Sequence, residues 1–124
     1  MTGVTMRWVE EVEARVRGYG LVYWSRPPLW LVTEVAGEYG DACRAVHEGP
    51  PERQRRLYRV RARLAGLLAM VFGEAERPRQ VDGWLSAAED AAQAAGDPVL
   101  GCWVGALTAW AACERGEYVE ALEI

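Results

Sequence analysis

Apolar residues recur at steps of three and four along nearly the whole chain, the spacing that puts side chains on one face of a helix. From about Thr5 to Tyr19, the residues Trp8, Val9, Val12, Val16 and Tyr19 form one stripe, and Glu10, Glu11, Glu13 and Arg17 cover the other side. That division predicts an amphipathic helix, with Gly18 and Gly20 as its end. Pro27 and Pro28 open a second helix running to about Glu48, since proline suits a first turn that has no N–H partner. Its inward positions are Leu31, Val35, Tyr39 or Ala42, and Val46. After Gly49, Pro50 and Pro51, a third helix from about Glu52 to Gly73 places Leu57, Val60, Leu64, Leu67, Leu68, Val71 and Phe72 inward. A loop around Glu74 to Pro78 leads to a fourth, about Gln80 to Ala95, with Val81, Trp84, Leu85, Ala88, Ala91, Ala92 and Ala95 on its apolar side. Gly96 is its stop signal. Asp97 and Pro98 supply an N-cap and a first-turn proline for a fifth helix lasting to about Arg115. Gly116 breaks that helix, and Glu117 to Ile124 begins a short sixth.

No run of β-branched residues alternates with polar ones between turn signals, so no strand is expected. Helices of this length joined by short links pack as antiparallel neighbours. The expected fold is therefore all-α, an antiparallel array of helical hairpins with five helices and a short sixth. A chain of 124 residues fits one such domain, paired as about 1–49, 50–96 and an incomplete 97–124.

Two stretches are alike at a fixed offset. Leu68-Ala69-Met70-Val71-Phe72 is followed, after a loop, by Val81, Leu85 and Ala88. About forty residues on, Thr108, Ala109 and Ala112 fall in the first-helix positions, and Gly116-Glu117-Tyr118-Val119-Glu120-Ala121-Leu122-Glu123 supplies a turn and a second-helix start. This frame resembles the tetratricopeptide repeat, whose pattern is L-G-x2-Y on one helix and A-x3-F on the next. Small residues in such slots let helices approach closely, and large ones fill the groove between them.

A further resemblance covers roughly residues 20–124. The Arg-rich entry Arg55 to Arg63 runs into a Leu/Ala-rich half, Ala95-Gly96-Asp97-Pro98 follows, and then a helix bearing Trp103. That order is similar to the repeat-containing sensor or effector regions of actinobacterial helix-turn-helix transcriptional regulators. The resemblance implies a TPR-like α-solenoid acting in regulation. The chain has no DNA-binding helix-turn-helix, so a regulatory role would act through another chain and no direct DNA binding is expected.

Composition adjusts this picture in three places. All 14 basic residues are Arg, with no Lys and no Asn, a bias that points to a GC-rich bacterial genome. The net charge of −4 argues against a nucleic-acid-binding domain. The three cysteines, Cys43, Cys102 and Cys113, are odd in number and lack a C-x-x-C pair, so buried free thiols in a reducing compartment are expected. No secretory signal and no apolar stretch of the roughly 20 residues needed to span a bilayer is present. The cytoplasm is the expected location and no membrane partner is expected.

His47 follows Cys43 by one helical turn, a pairing that serves catalysis or a metal only with further groups, which nothing fixes on that face. Glu34, Glu38 and Asp41 form a stripe that reads as a solvated helix face. Neither a catalytic residue nor a cofactor or metal is expected. The arginines of the third helix are a stronger feature. Arg56, Arg59 and Arg63 share a face, with Glu52 placed to pair with Arg56, and offer planar forks to an anion or an acidic partner. Against this stands a solvated face whose stems cover apolar surface.

The aromatic residues are the strongest functional signal, with six Trp in the chain. Tyr19, Tyr23, Trp24 and Trp30 gather around the first inter-helix loop, and Trp103 and Trp110 lie on one stripe of the fifth helix beside Leu100, Val104, Leu107 and Ala111. Tyr23, Trp24, Trp30, Trp103 and Trp110 are thus the candidates for holding a partner chain or a small apolar ligand, with ordinary inter-helix packing as the plain alternative. The fifth helix is apolar nearly all round, which implies burial on most sides. A repeat array needs a polar cap on its last helix. The expectation is that the chain is a piece of a longer repeat protein or that its open end is covered by another subunit, most simply through self-association of the C-terminal helices. The expected function is non-enzymatic binding of a protein or ligand in a regulatory system. A small cofactor-free enzyme or apolar-ligand carrier is the alternative, and a nucleic-acid accessory using the Arg-rich helix is a third reading.

Overall fold

A computed structural model describes residues 5–22, 28–45, 49–74, 77–114 and 116. Among them are five helices and no strand: α1 (Met6–Val22), α2 (Pro28–Ala45), α3 (Pro51–Glu74), α4 (Pro78–Ala95) and α5 (Pro98–Glu114). All but α1 begin on a proline. The ring presets the helical φ there and removes an N–H that the first turn would leave unpaired. The short sixth helix expected over 117–124 lies outside the described residues.

The helix ends follow from local chemistry. Thr5 caps α1, its Oγ1 accepting from the Trp8 N–H at 3.1 Å. At the other end the expected stop fails, for α1 continues through Gly18 and Gly20 to Val22. A helical glycine costs only about 1 kcal/mol, and the neighbouring Val16 and Tyr19 are both buried against the core. Packing wins over propensity in that turn. Gly96 ends α4 in the left-handed region at φ 64°, with the Gly96 N–H donating to Gln93 O at 3.0 Å and the Asp97 N–H to Ala92 O at 3.4 Å. These two bonds make a Schellman turn. One residue later Asp97 Oδ1 accepts from the Leu100 N–H at 3.1 Å. The α4–α5 corner is therefore closed on both sides, as the Gly-Asp-Pro run predicts.

The helix α3 is the hub and touches all four others. Towards α1 and α2 it presents large side chains: Val60, Leu64, Leu67, Leu68 and Val71 meet Val12, Val16, Tyr19, Val35 and Ala42. Towards α4 it presents Ala62 and Ala65, which meet Ala88, Ala91 and Ala92, joined by Leu100 and Val104 of α5. Alanine against alanine lets two axes approach closely, which accounts for α3–α4 being the most extensive of the helix pairs. The backbones of α1, α3 and α5 are successive neighbours, whereas those of α2 and α4 meet α3 and not each other.

Two further expectations are corrected. The cysteines are not buried thiols: Cys43 is half-buried, and Cys102 and Cys113 are exposed. Nor is α5 buried on most sides. Only Leu100, Val104, Ala111 and Ala112 are buried along it, while Val99 is 79% exposed and Gly101, Cys102, Ala106 and Cys113 are exposed. The physical reason is position. Among the described helices α5 has neighbours only in α3 and α4, so its far side faces outward although its sequence is apolar. Among the described residues no helix is long and apolar enough to cross a membrane.

Candidate functional site

Of the residues singled out above, Tyr23, Trp24 and His47 lie outside the described residues, as does the side chain of Trp30 in the first turn of α2. Tyr19 is described, and it belongs to the core between α1, α2 and α3. Burial, with Glu38 and Glu34 close by, pushes its phenol up to about 12. A raised folded pKa stabilises the fold fully below the unfolded value near 10 and loses that contribution as the pH rises through the folded value. Stability measured by chemical denaturation is therefore expected to fall between pH 10 and about 12, by at most about 2 kcal/mol. Tyr19→Phe is expected to flatten that fall.

The two tryptophans of α5 point at α3. Trp103 lies over Gly66, where an added β-carbon would stand 2.3 Å from its Cη2. Trp110 lies over Gly73, where the same distance is 2.5 Å. Glycines and tryptophans are both seven apart, so each ring finds a gap two turns along from the last. Both rings are half-buried. They serve the α3–α5 interface, the packing role set beside the ligand-binding one above.

A groove of about 630 Å³ runs on another side of α5, between it and α4. Its walls are mostly apolar: Ala92, Gly96, Pro98, Gly101, Val104 and Gly105, with Glu89, Gln93, Asp97 and Thr108. The tryptophans do not line it. The outward face of α5 bears the exposed Val99, Cys102, Ala106 and Cys113, and the helix has no charged side chain between Pro98 and Cys113.

The arginines of α3 part company. Arg56 does not pair with Glu52. It grips Glu13 of α1, Nη2 at 2.5 Å and Nε at 3.1 Å from the two carboxylate oxygens, and this pairing raises the already high Arg56 pKa. The i, i+4 partner was within reach, but the bidentate fork across to α1 makes two charge-assisted bonds in a half-buried cleft. Arg59 sits 3.4 Å from Asp97 at the start of α5. Arg61 turns the other way, its guanidinium 5.2 Å from the centre of the Tyr58 ring and 5.8 Å from that of Tyr39, whose other neighbour is Trp84, edge-on at 5.0 Å. These cation–π contacts stand in for the hydrogen bond its buried Nε lacks. Arg53 folds over Gly49, whose backbone at φ 85° leaves room only because no β-carbon is there. Arg63 is exposed, and it shares with Arg59 and Arg17 a cleft between α1 and α3. Sequence spacing groups Arg56, Arg59 and Arg63, whereas the structure groups Arg17, Arg59 and Arg63 around open space and uses Arg56 as a strut. Arg17 was missed because it belongs to another helix.

The acidic stripe of α2 is largely occupied with charge pairing. Glu38 takes Arg15 of α1 at 2.5 Å, which raises the Arg15 pKa, and Asp41 pairs with Arg44. Among the described residues no group of three or more His, Cys, Asp or Glu is placed to hold a metal ion. No protein-family model matches the sequence, and no significantly similar curated protein or solved structure was found.

Proposed function

We propose that the chain is a non-enzymatic, tetratricopeptide-like binding module of a bacterial regulatory system, and that its outward α5 face and the adjoining groove receive a partner helix, in the simplest case from a second copy of the chain. The observation that carries this reading is the contrast along α5: a helix without a charge between Pro98 and Cys113 leaves Val99, Cys102 and Ala106 exposed. An apolar surface of that kind marks an interaction site in a folded protein. Gly101, Gly105 and Ala106 keep it low enough for another backbone to approach closely. The repeat reading draws on the row formed by α1, α3 and α5 with α2 and α4 packed on α3, an order in keeping with stacked helical hairpins. A sixth helix over 117–124 completes the third hairpin in this reading. The regulatory role rests on the resemblance alone.

Light scattering over a concentration series tests the proposal. Wild-type protein is expected to reach twice the 13.8 kDa chain mass, and Ala106→Glu, which adds a charge to an exposed helical position, is expected to stay at one chain mass with unchanged helicity. A wild-type chain that remains single at the highest concentration contradicts self-association. A pair that survives Ala106→Glu places the contact elsewhere.

A further inference from the structure

Another cavity among the described residues is a cleft of about 250 Å³ between α1 and α3, lined by Glu13, Val16 and Arg17 from α1 and Arg59, Val60 and Arg63 from α3. Its electrostatics are one-sided. Glu13 is already bound to Arg56, so its charge is spent within the wall. Arg59 has a loose counter-ion in Asp97 at 3.4 Å. Arg17 and Arg63 have no carboxylate partner among the described residues, in a chain where 18 acidic residues outnumber 14 basic ones. Three arginines thus line one small cleft, and an anion seated there offsets the repulsion between their like charges.

We infer that the cleft between α1 and α3 binds the phosphoryl group of a small ligand, held by Arg17, Arg59 and Arg63. A phosphate monoester carries about −1.5 to −2 charges and three strong acceptor oxygens, which matches three donor forks. A lone carboxylate offers one charge and two oxygens. The volume is below the roughly 300–1,000 Å³ of sites that enclose a whole small molecule, so the cleft takes a head group and leaves the rest of the ligand outside. Val16 and Val60, both buried, form an apolar floor that lowers the local dielectric beneath the charges and strengthens their pull. A nucleic-acid strand fits less well, since Arg53 and Arg61 of the same helix are turned elsewhere and provide no continuous basic track. The cleft shares no lining residue with the α4–α5 groove, and either site can fail without the other.

Isothermal titration of the full chain with inorganic phosphate and with pyrophosphate tests the inference, alongside succinate as a dicarboxylate and the exposed Arg79→Gln as a control variant. Saturable one-to-one binding of pyrophosphate is expected, weakening as salt is raised. Arg17→Gln/Arg63→Gln is expected to weaken it roughly a hundredfold, about tenfold for each charge-assisted contact, while Arg79→Gln leaves it unchanged. Both altered arginines line the cleft rather than the core, and circular dichroism checks that the variant is folded. No saturable binding by the wild type overturns the inference. So does equal binding by the double variant, an equal loss in Arg79→Gln, or succinate binding as tightly as pyrophosphate.

Discussion

Leu64→Ala is expected to lower the free energy of unfolding by about 2–5 kcal/mol, the range for emptying a leucine-sized volume in a packed core. Leu64 is fully buried, with 0% of its surface exposed, in the cluster that α1, α2 and α3 build together. It stands on the one helix that all others touch, so no neighbour can move into the vacated space without disturbing a second interface. A domain of this size has about 5–15 kcal/mol of stability in total, and the loss takes a large share of it. The comparison is Gln80→Ala. Gln80 is exposed on α4, away from the outward face of α5, and its truncation is expected to change stability by less than about 0.5 kcal/mol. Urea denaturation followed by circular dichroism measures both. A Leu64→Ala midpoint within error of wild type would mean that α3 is not the hub.

Gly66→Ala has the second largest expected effect, and its sign runs against helix propensity. Alanine in place of a mid-helix glycine ordinarily stabilises by about 0.5–1 kcal/mol. Here the added methyl would meet the Trp103 ring at 2.3 Å and Leu107 Cδ1 at 3.1 Å. An indole wedged between helices cannot swing aside as the tip of a flexible chain can, so overpacking of about 1–3 kcal/mol opposes the propensity gain. The net expectation is a loss of about 1–2 kcal/mol. In a Trp103→Ala background, already weakened by the missing ring, the same substitution is expected to reverse sign and stabilise. Gly83→Ala supplies the control, because Gly83 is exposed and no described atom lies within 4 Å of the added methyl; it is expected to stabilise by about 0.5–1 kcal/mol. Coupling between the two sites is measured as the difference between the double variant and the sum of the singles. Additive effects would show that α5 does not lean on α3 through this ring.

Most of the helical layout was legible because it depends on local pattern. The stripe Val9, Val12, Val16 and Tyr19 predicts the buried face of α1, and Asp97 predicts the cap of α5, since both arguments involve residues within a turn or two. What escaped depends on neighbours distant in sequence. Gly18 and Gly20 read as a stop because a glycine pair lowers propensity, but the packing of Val16 and Tyr19 overrides it. The cysteines read as buried because free thiols usually are, and α5 read as buried because it is apolar nearly all round; its outward face is visible only once its neighbours are known. Arg56 passed over Glu52 for Glu13 for the same reason. The partnership of Gly66 and Gly73 with Trp103 and Trp110 did leave a signal, a shared spacing of seven on two predicted helices. Arg17 left none beyond its charge, because the cleft it lines is made by two helices meeting.

The chemistry of α5 offers the most direct measure of the binding claim. Cys102 and Cys113 stand exposed on the outward face, while Cys43 is half-buried on α2. Alkylation rates of the three thiols, read by mass spectrometry from dilute to concentrated protein, report whether that face becomes covered. The expected result is that Cys102 and Cys113 react readily when dilute and slow together as concentration rises, with Cys43 unchanged. Rates for Cys102 and Cys113 that stay constant across the whole range would contradict the account of α5 as the surface on which a second copy docks.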